Sequence, residues 1–147
     1  MVKTLLVSSS LLMAHTFATA VPPQPFACPT ELTGTEQHAK LIPEGWQAAV
    51  QDSGPRHTLN GFMVNLGPVS KADGSIYDDV KESTDTKGNV TSRLIWNVKA
   101  LEDPYAVCAY SRTSLVLTRP LKGYSECVAT SRRSRDTQFQ MVSVVCR

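Results

Sequence analysis

The most constraining feature of the chain is a two-residue hydrophobic period that runs from about residue 57 to the last residues. Apolar and polar residues alternate in short runs separated by turn-forming residues, and no helical period of useful length competes with them. The pattern predicts an all-β fold of about seven antiparallel strands, a meander curled into a small sandwich or open barrel. The predicted strands are Trp46–Gln51, His57–Leu66, Thr91–Lys99, Tyr105–Tyr110, Thr113–Thr118, Ser125–Arg132 and Gln138–Cys146.

Two segments depart from this alternation. Residues 21–30 contain four prolines, which exclude a helix or a central strand and predict an extended arm. Residues 67–90 are rich in Gly, Asp, Ser, Thr and Lys, and we expect a long surface excursion with a short strand near Ser75–Val80. Within the predicted strand His57–Leu66, Gly61 marks a β-bulge.

The amino-terminal residues have the pattern of a secretory signal peptide. Lys3 precedes a short apolar stretch, and Ala18-Thr19-Ala20 forms a small-x-small cleavage site. The apolar stretch is too short for a permanent membrane anchor. We therefore expect residues 1–20 to be removed and residues 21–147 to form a single β domain that is periplasmic or secreted.

The cysteines predict two disulfides, because an even number in an exported chain usually forms bridges. They stand 80, 19 and 19 positions apart, whereas zinc ligands usually come in pairs two to four residues apart. A hairpin about Asp136-Thr137 favours one connectivity, Cys127–Cys146 with Cys28–Cys108, over the two others. Its register pairs Cys127 with Cys146, Ala129 with Val144 and Ser131 with Val142, and places Val142 and Val144 on one face with the cysteines.

Charge is distributed unevenly along the chain. Residues 21–103 hold seven Lys or Arg and eleven Asp or Glu, whereas residues 104–147 hold seven and two. Such an asymmetry can orient an encounter with an acidic surface. The simpler interpretation, which we favour, is that Arg132, Arg133 and Arg135 keep a hairpin tip soluble and discourage edge pairing.

No residue pattern indicates an enzyme, a metal site or a cofactor. His38 and His57 have no second candidate ligand near them in sequence, and no nucleophile elbow, zinc-protease motif or phosphate-binding loop occurs. Asp78, Asp79 and Glu82 could be paired carboxylates for glycoside chemistry, but a solvated acidic stretch explains them better.

Nucleic-acid and membrane binding are equally weakly indicated. The basic cluster near Arg133 has only Phe139 as a neighbouring aromatic, and no amphipathic basic helix is present. Aromatic residues and arginines dominate protein-binding hot spots, so one hypothesis is a partner-binding patch. Its candidate residues are Trp46, Tyr110, Arg112 and Arg119. The alternative, that the aromatic residues are ordinary core or half-buried strand residues, needs no such role.

Several short motifs resemble those of a family of small exported proteobacterial proteins of unknown function. They occur in the family's order and span nearly the whole chain after the leader. They are Cys28-Pro29, Pro43-Glu44-Gly45-Trp46, Asp52-Ser53-Gly54-Pro55, Trp96, Cys108-Ala109-Tyr110-Ser111-Arg112-Thr113, Leu117-Thr118-Arg119-Pro120-Leu121, Cys127 and Cys146. The resemblance implies a periplasmic or secreted bacterial protein and brings neither a known activity nor catalytic residues.

These observations predict a non-enzymatic exported binding module. Its partner is expected to be another protein of the cell envelope, and the module would act as an inhibitor or immunity-type protein against an envelope-acting toxin or hydrolase. The alternative is a structural or envelope-maintenance protein with no dedicated ligand. Neither hypothesis includes nucleic-acid binding or stable membrane insertion.

Overall fold

The alternating segments fold into β-strands that assemble as two packed sheets. A computed structural model describes residues 23–35, 40–45, 47–49, 56–69, 74–135 and 137–147. The predicted signal peptide lies outside these residues. The strands are β1 (Phe26–Ala27), β2 (Glu31–Leu32), β3 (His57–Leu66), β4 (Gly74–Ser75), β5 (Asp79–Thr84), β6 (Val90–Asn97), β7 (Pro104–Tyr110), β8 (Val116–Pro120), β9 (Glu126–Arg133) and β10 (Gln140–Cys146). A 3₁₀ helix, Val98–Ala100, follows β6.

The first sheet has the strand order β1-β10-β9-β6-β5, and the second has the order β2-β3-β7-β8 with β4 paired to β3. Every described strand pair is antiparallel. The prediction of an all-β fold is confirmed, and of its two forms the sandwich is the one observed. Three neighbouring pairs, β1 with β10, β3 with β7 and β6 with β9, are not consecutive in the chain. The hairpins β5–β6 and β9–β10 therefore lie in the first sheet, and the hairpin β7–β8 lies in the second.

Trp96 lies in the core between the two sheets. It is 3% exposed, and its ring meets Phe62 of the second sheet edge-to-face at 5.2 Å. The indole N–H donates to the carbonyl of Ser75 at 3.1 Å, which satisfies the polar end of a buried side chain. Fully buried residues around this pair include Val64, Ala106, Cys127 and Val144.

The proline-rich arm joins the two sheets. β1 lies at an edge of the first sheet and β2 at an edge of the second, as the prolines require. Between them, the Cys28 N–H donates to the Val144 carbonyl at 3.2 Å. Cys28 is also disulfide-bonded to Cys108 of β7, which confirms the predicted connectivity and ties the arm to the second sheet.

The carboxyl-terminal hairpin has the predicted register at its open end. Cys127 lies opposite Cys146, with their Cα atoms 4.1 Å apart, and the two form the second disulfide. A bulge between Met141 and Ser143 changes the register towards the tip. Ser131 therefore pairs with Met141, and the prediction that Val142 lies opposite Ser131 on the buried face is wrong. Val142 is 51% exposed because the bulge turns it outward.

The remaining strand predictions are confirmed only in part. His57–Leu66 is a strand with the predicted bounds, and its register shifts just before Gly61 as a bulge requires. The excursion at residues 67–90 contains the six-residue strand β5, which sequence reasoning placed mostly in a loop because its residues are polar and exposed on both faces. In the predicted strand Trp46–Gln51, residues 47–49 are not in a strand, and the rest lie outside the described residues.

Candidate protein-binding face

The outer face of the first sheet carries an apolar row that crosses four strands. In the strand register Ala27 lies opposite Val145, Val145 opposite Val128, and Val128 opposite Ile95. These positions alternate with the buried Cys146, Cys127 and Trp96, so their side chains point away from the core. Val145 is 41% exposed, and Val128 and Ile95 are half-buried. We call this row and the residues beside it on the same side of the sheet the outer face.

On one side of the apolar row the outer face is basic. Arg93 lies opposite Thr130 on β9 and opposite Lys81 on β5. Arg132 lies opposite Thr91, one step further along the same side. Lys81 forms an ion pair with Asp79 at 3.7 Å. Three cations therefore share a small area of exposed sheet.

On the other side of the row the outer face contains a hollow of about 400 Å³. Its rim is held by hydrogen bonds: the Asp78 N–H donates to the Ile95 carbonyl at 2.8 Å, and the Asn97 N–H donates to Asp78 Oδ2 at 2.6 Å. Glu126 and Arg147, which also line it, form an ion pair of 2.8 Å. The hollow is thus present before any partner binds.

An exposed apolar centre with polar residues on both sides is the arrangement found in protein–protein interfaces. With strands about 4.8 Å apart, the row is roughly 14 Å long. A standard interface buries about 800 Å² on each partner, so a partner must also reach beyond this row. Arg133, which stacks on Phe139 at 4.9 Å at the adjacent hairpin tip, has the phase of Cys127 and therefore does not extend the outer face.

The four residues predicted to bind a partner do not form one patch. Trp46 lies outside the described residues. Tyr110 is 3% exposed, and its hydroxyl donates to the Pro29 carbonyl, so its placement is that of a core residue. Arg112 is exposed in the β7–β8 turn, whereas Arg119 lies opposite Ala106 towards the other end of β7. The two arginines therefore lie towards opposite ends of this hairpin.

Arg119 is engaged within the protein. Its guanidinium lies over the Phe26 ring at 4.4 Å and donates to the Tyr124 hydroxyl at 3.3 Å. Phe26 and Tyr124 themselves meet edge-to-face at 5.2 Å. The arginine thereby holds β8 against the amino-terminal arm, a contact that local sequence patterns do not indicate.

The titratable residues considered for catalysis are separated or engaged elsewhere. Asp79 and Glu82 lie on opposite faces of β5, because the strand alternates. His57 is fully buried: its Nδ1 donates to the Ser111 carbonyl at 2.8 Å, and its Nε2 accepts from the Thr35 hydroxyl at 2.9 Å. His38 lies outside the described residues. Within the described ranges, no three His, Cys, Asp or Glu side chains are grouped as metal ligands would be.

Sequence reasoning missed the outer face although a signal for it was present. Ile95, Val128 and Val145 are apolar, yet each is out of phase with the cysteines and Trp96 that mark the buried side. Strands with apolar residues on both faces suggest that the second face is also covered, by this chain or by another. The position of these three residues in the strand alternation was therefore the sequence signal that could have revealed the outer face.

The fold and this face define a disulfide-bonded β-sandwich with an exposed apolar row on one sheet. Comparison with protein-family models, curated proteins and solved structures finds no significant match. Among the described residues, no helix has the length and apolar character needed to cross a membrane.

Proposed function

We propose that the protein is an exported, non-enzymatic binding module whose outer face docks onto another protein of the cell envelope. The observation that carries this proposal is the apolar row Ala27–Val145–Val128–Ile95, which crosses four strands and has polar residues on both sides. Two disulfides suit an oxidising compartment, which supports export to the periplasm or medium. Inhibition of a toxin or hydrolase suits such a module, because a rigid sheet loses little freedom on binding.

The partner surface is expected to be apolar at its centre and acidic beside it. Arg93, Lys81 and Arg132 would face those acidic groups, which would both speed the encounter and fix its orientation. This charge requirement distinguishes the partner from a second copy of the chain. In a two-fold pairing of outer faces about the basic area, the same three cations would oppose one another.

The test is a matched pair of substitutions. Val128→Lys places a charge in the apolar row, and Leu115→Lys places one on an exposed leucine of the β7–β8 loop, outside the outer face. Envelope proteins captured by the wild-type protein are purified, and their dissociation constants are measured for both variants. We expect Val128→Lys to weaken binding about thirtyfold, as loss of an interface centre does, and Leu115→Lys to leave it unchanged.

Equal binding by the wild type and Val128→Lys, in a variant with an unchanged melting temperature, would overturn the proposal. Sedimentation tests the alternative of a structural, self-associating protein. A mass that rises with concentration in the wild type and not in Val128→Lys would assign the outer face to self-association instead.

A further inference from the structure

A second concavity, of about 570 Å³, lies at the end of the sandwich. We call it the end cleft. The 3₁₀ helix and the following loop to Pro104 form one wall, and residues 121–125 form the other. Its apolar lining includes Val98, Leu101, Pro104 and Leu121, and Lys99 and Lys122 are exposed beside them. Small-molecule sites commonly have volumes of about 300–1,000 Å³ and mostly apolar linings, so the size and lining are typical of such a site.

Hydrogen bonds between the two walls hold the end cleft in shape. The Leu121 N–H donates to the Pro104 carbonyl at 2.8 Å. The Ser125 carbonyl accepts from both Val98 N–H and Lys99 N–H, at 3.0 and 3.3 Å. A ligand would therefore find the walls already positioned and would lose little affinity in ordering them.

Both loops contain a residue with a left-handed backbone. Asp103 has φ of 45° and Gly123 has φ of 88°. The Asp103 carbonyl accepts from the Gly67 N–H at 2.8 Å, which anchors the strained residue to the loop after β3. A non-glycine residue in this region of backbone space persists when its surroundings enforce it. The backbone conformation at the mouth of the cleft is therefore fixed by its contacts with the rest of the fold.

The charges at the mouth favour an anion. Lys99 and Lys122 lie on opposite walls, and among the described residues that line the cleft Asp103 is the one carboxylate. Lysine ammonium groups bind carboxylates and phosphates as mobile point charges on long stems, which allows both to reach one head group. An apolar lining beside two cations matches a ligand with an apolar body and one anionic head.

We infer that the end cleft binds a small amphipathic anion, such as a medium-chain carboxylate or alkyl phosphate. The apolar body would lie against Leu101 and Pro104, and the head would lie between Lys99 and Lys122. This site takes a small molecule and does not depend on protein binding by the outer face, so each proposal can fail without the other.

The experiment uses the disulfide-bonded protein and decanoate below its micellar concentration. Binding is followed by amide chemical shifts in two-dimensional NMR. We expect saturable shifts confined to residues 98–104 and 121–125. The double variant Lys99→Gln, Lys122→Gln should weaken decanoate binding about fivefold, since each exposed ion pair contributes modestly. The matched control Lys40→Gln, Lys87→Gln removes two exposed lysines that do not line the cleft and should not change it.

Three further ligands separate the contributions of head and body. Inorganic phosphate supplies the head alone and decanol the body alone, and we expect each to bind more weakly than decanoate. Decyltrimethylammonium carries the wrong charge and should bind weakest. Shifts outside the end cleft, equal binding by the double variant, or equal binding of decyltrimethylammonium would each overturn the inference. A melting curve of the double variant confirms that any loss reflects the site and not unfolding.

Discussion

The hydroxyl of Tyr110 donates a 3.0 Å hydrogen bond to the carbonyl of Pro29, 81 positions earlier in the chain. A second tyrosine acts in the same way, since the Tyr124 hydroxyl donates to the Gln24 carbonyl at 2.9 Å. Proline-rich segments have few N–H groups for strand pairing. Besides the short strand pairings of β1 and β2, the arm is held by carbonyls that accept from side chains of the sandwich and by the Cys28 disulfide.

Tyr110→Phe should cost about 1 kcal/mol of unfolding free energy, because the Pro29 carbonyl loses its partner while the ring stays in place. Burial raises the pKa of Tyr110 above its ordinary value. The folded state therefore keeps the proton longer than the unfolded state. This contribution to stability is fully present below about pH 10 and is lost as the pH rises through the raised pKa.

Denaturant titrations between neutral pH and pH 11 measure this dependence. The wild type should lose more stability with rising pH than Tyr110→Phe does. Tyr77→Phe is the matched control, because Tyr77 is 43% exposed and its ring contact with Trp96 remains in phenylalanine. Identical pH profiles for the wild type and Tyr110→Phe would contradict the prediction.

The two disulfides should contribute unequally to stability. Cys28–Cys108 closes a span of 80 positions and Cys127–Cys146 one of 19. Chain-entropy arguments give about 4.5 and 3 kcal/mol for loops of these lengths. Replacing either cysteine pair by two alanines makes the same chemical change. The difference in stability between the two double variants therefore reflects loop length and attachment of the arm. Equal melting temperatures for the two double variants would argue against this account.

We expect His57 to have a structural role, because its ring links Thr35, which follows β2, to Ser111 in the β7–β8 turn. His57→Ala would create a cavity and leave the Ser111 carbonyl and the Thr35 hydroxyl without their ring partner, at a cost of roughly 3 kcal/mol. His57→Gln keeps a polar side chain and should cost less. Urea unfolding measures both variants, and a loss below about 1 kcal/mol for alanine would show that the site adapts.

Asp85 organises the turn between β5 and β6. The Asn89 side-chain amide is the main cause that lowers the pKa of Asp85, followed by the backbone N–H groups of Asn89 and Lys87 and the charge of Arg132. Because the pKa is lowered in the folded state, this contribution to stability is present above the ordinary pKa and is lost as the pH falls through the lowered value. Asn89→Ala should raise the pKa of Asp85 towards its ordinary value.

The carboxyl carbon of Asp85, followed by NMR during an acid titration, measures this change. Thr86→Ala alters the same turn without removing the Asn89 amide and should leave the pKa of Asp85 unchanged. An unaltered titration in Asn89→Ala would show that the side-chain hydrogen bond at 2.8 Å is not the main cause.

Local patterns predicted those parts of the fold that depend on neighbouring residues. The strand His57–Leu66, its bulge near Gly61 and the pairing of Cys127 with Cys146 follow from alternation and turn residues within about twenty positions. Strand β5 was largely missed because it is an exposed edge strand with polar residues on both faces, which in sequence resembles a loop. Its pairing with β6 supplies the backbone order that its own side chains do not indicate.

The residues of the candidate site were likewise only partly predictable from the sequence. Arg119 was selected from sequence for its residue type, but its contact with Phe26 spans the two sheets and has no local signature. The outer face was visible only as a phase difference between Val128 and the neighbouring Cys127. Whether the face of the strand that carries Val128 is covered or exposed depends on which other elements pack against it.

By itself, the sequence determined a β protein with a constrained amino-terminal arm and the preferred pairing of its four cysteines. These properties follow from side-chain alternation, proline stereochemistry and the reach of a hairpin, all of which act over short stretches of chain. Only the tertiary structure decided how the hairpins divide between two sheets, and which apolar residues remained outside the core. The physical reason is that β3 meets β7, and β6 meets β9, across long intervening segments, so their pairing depends on the packing of the whole sandwich.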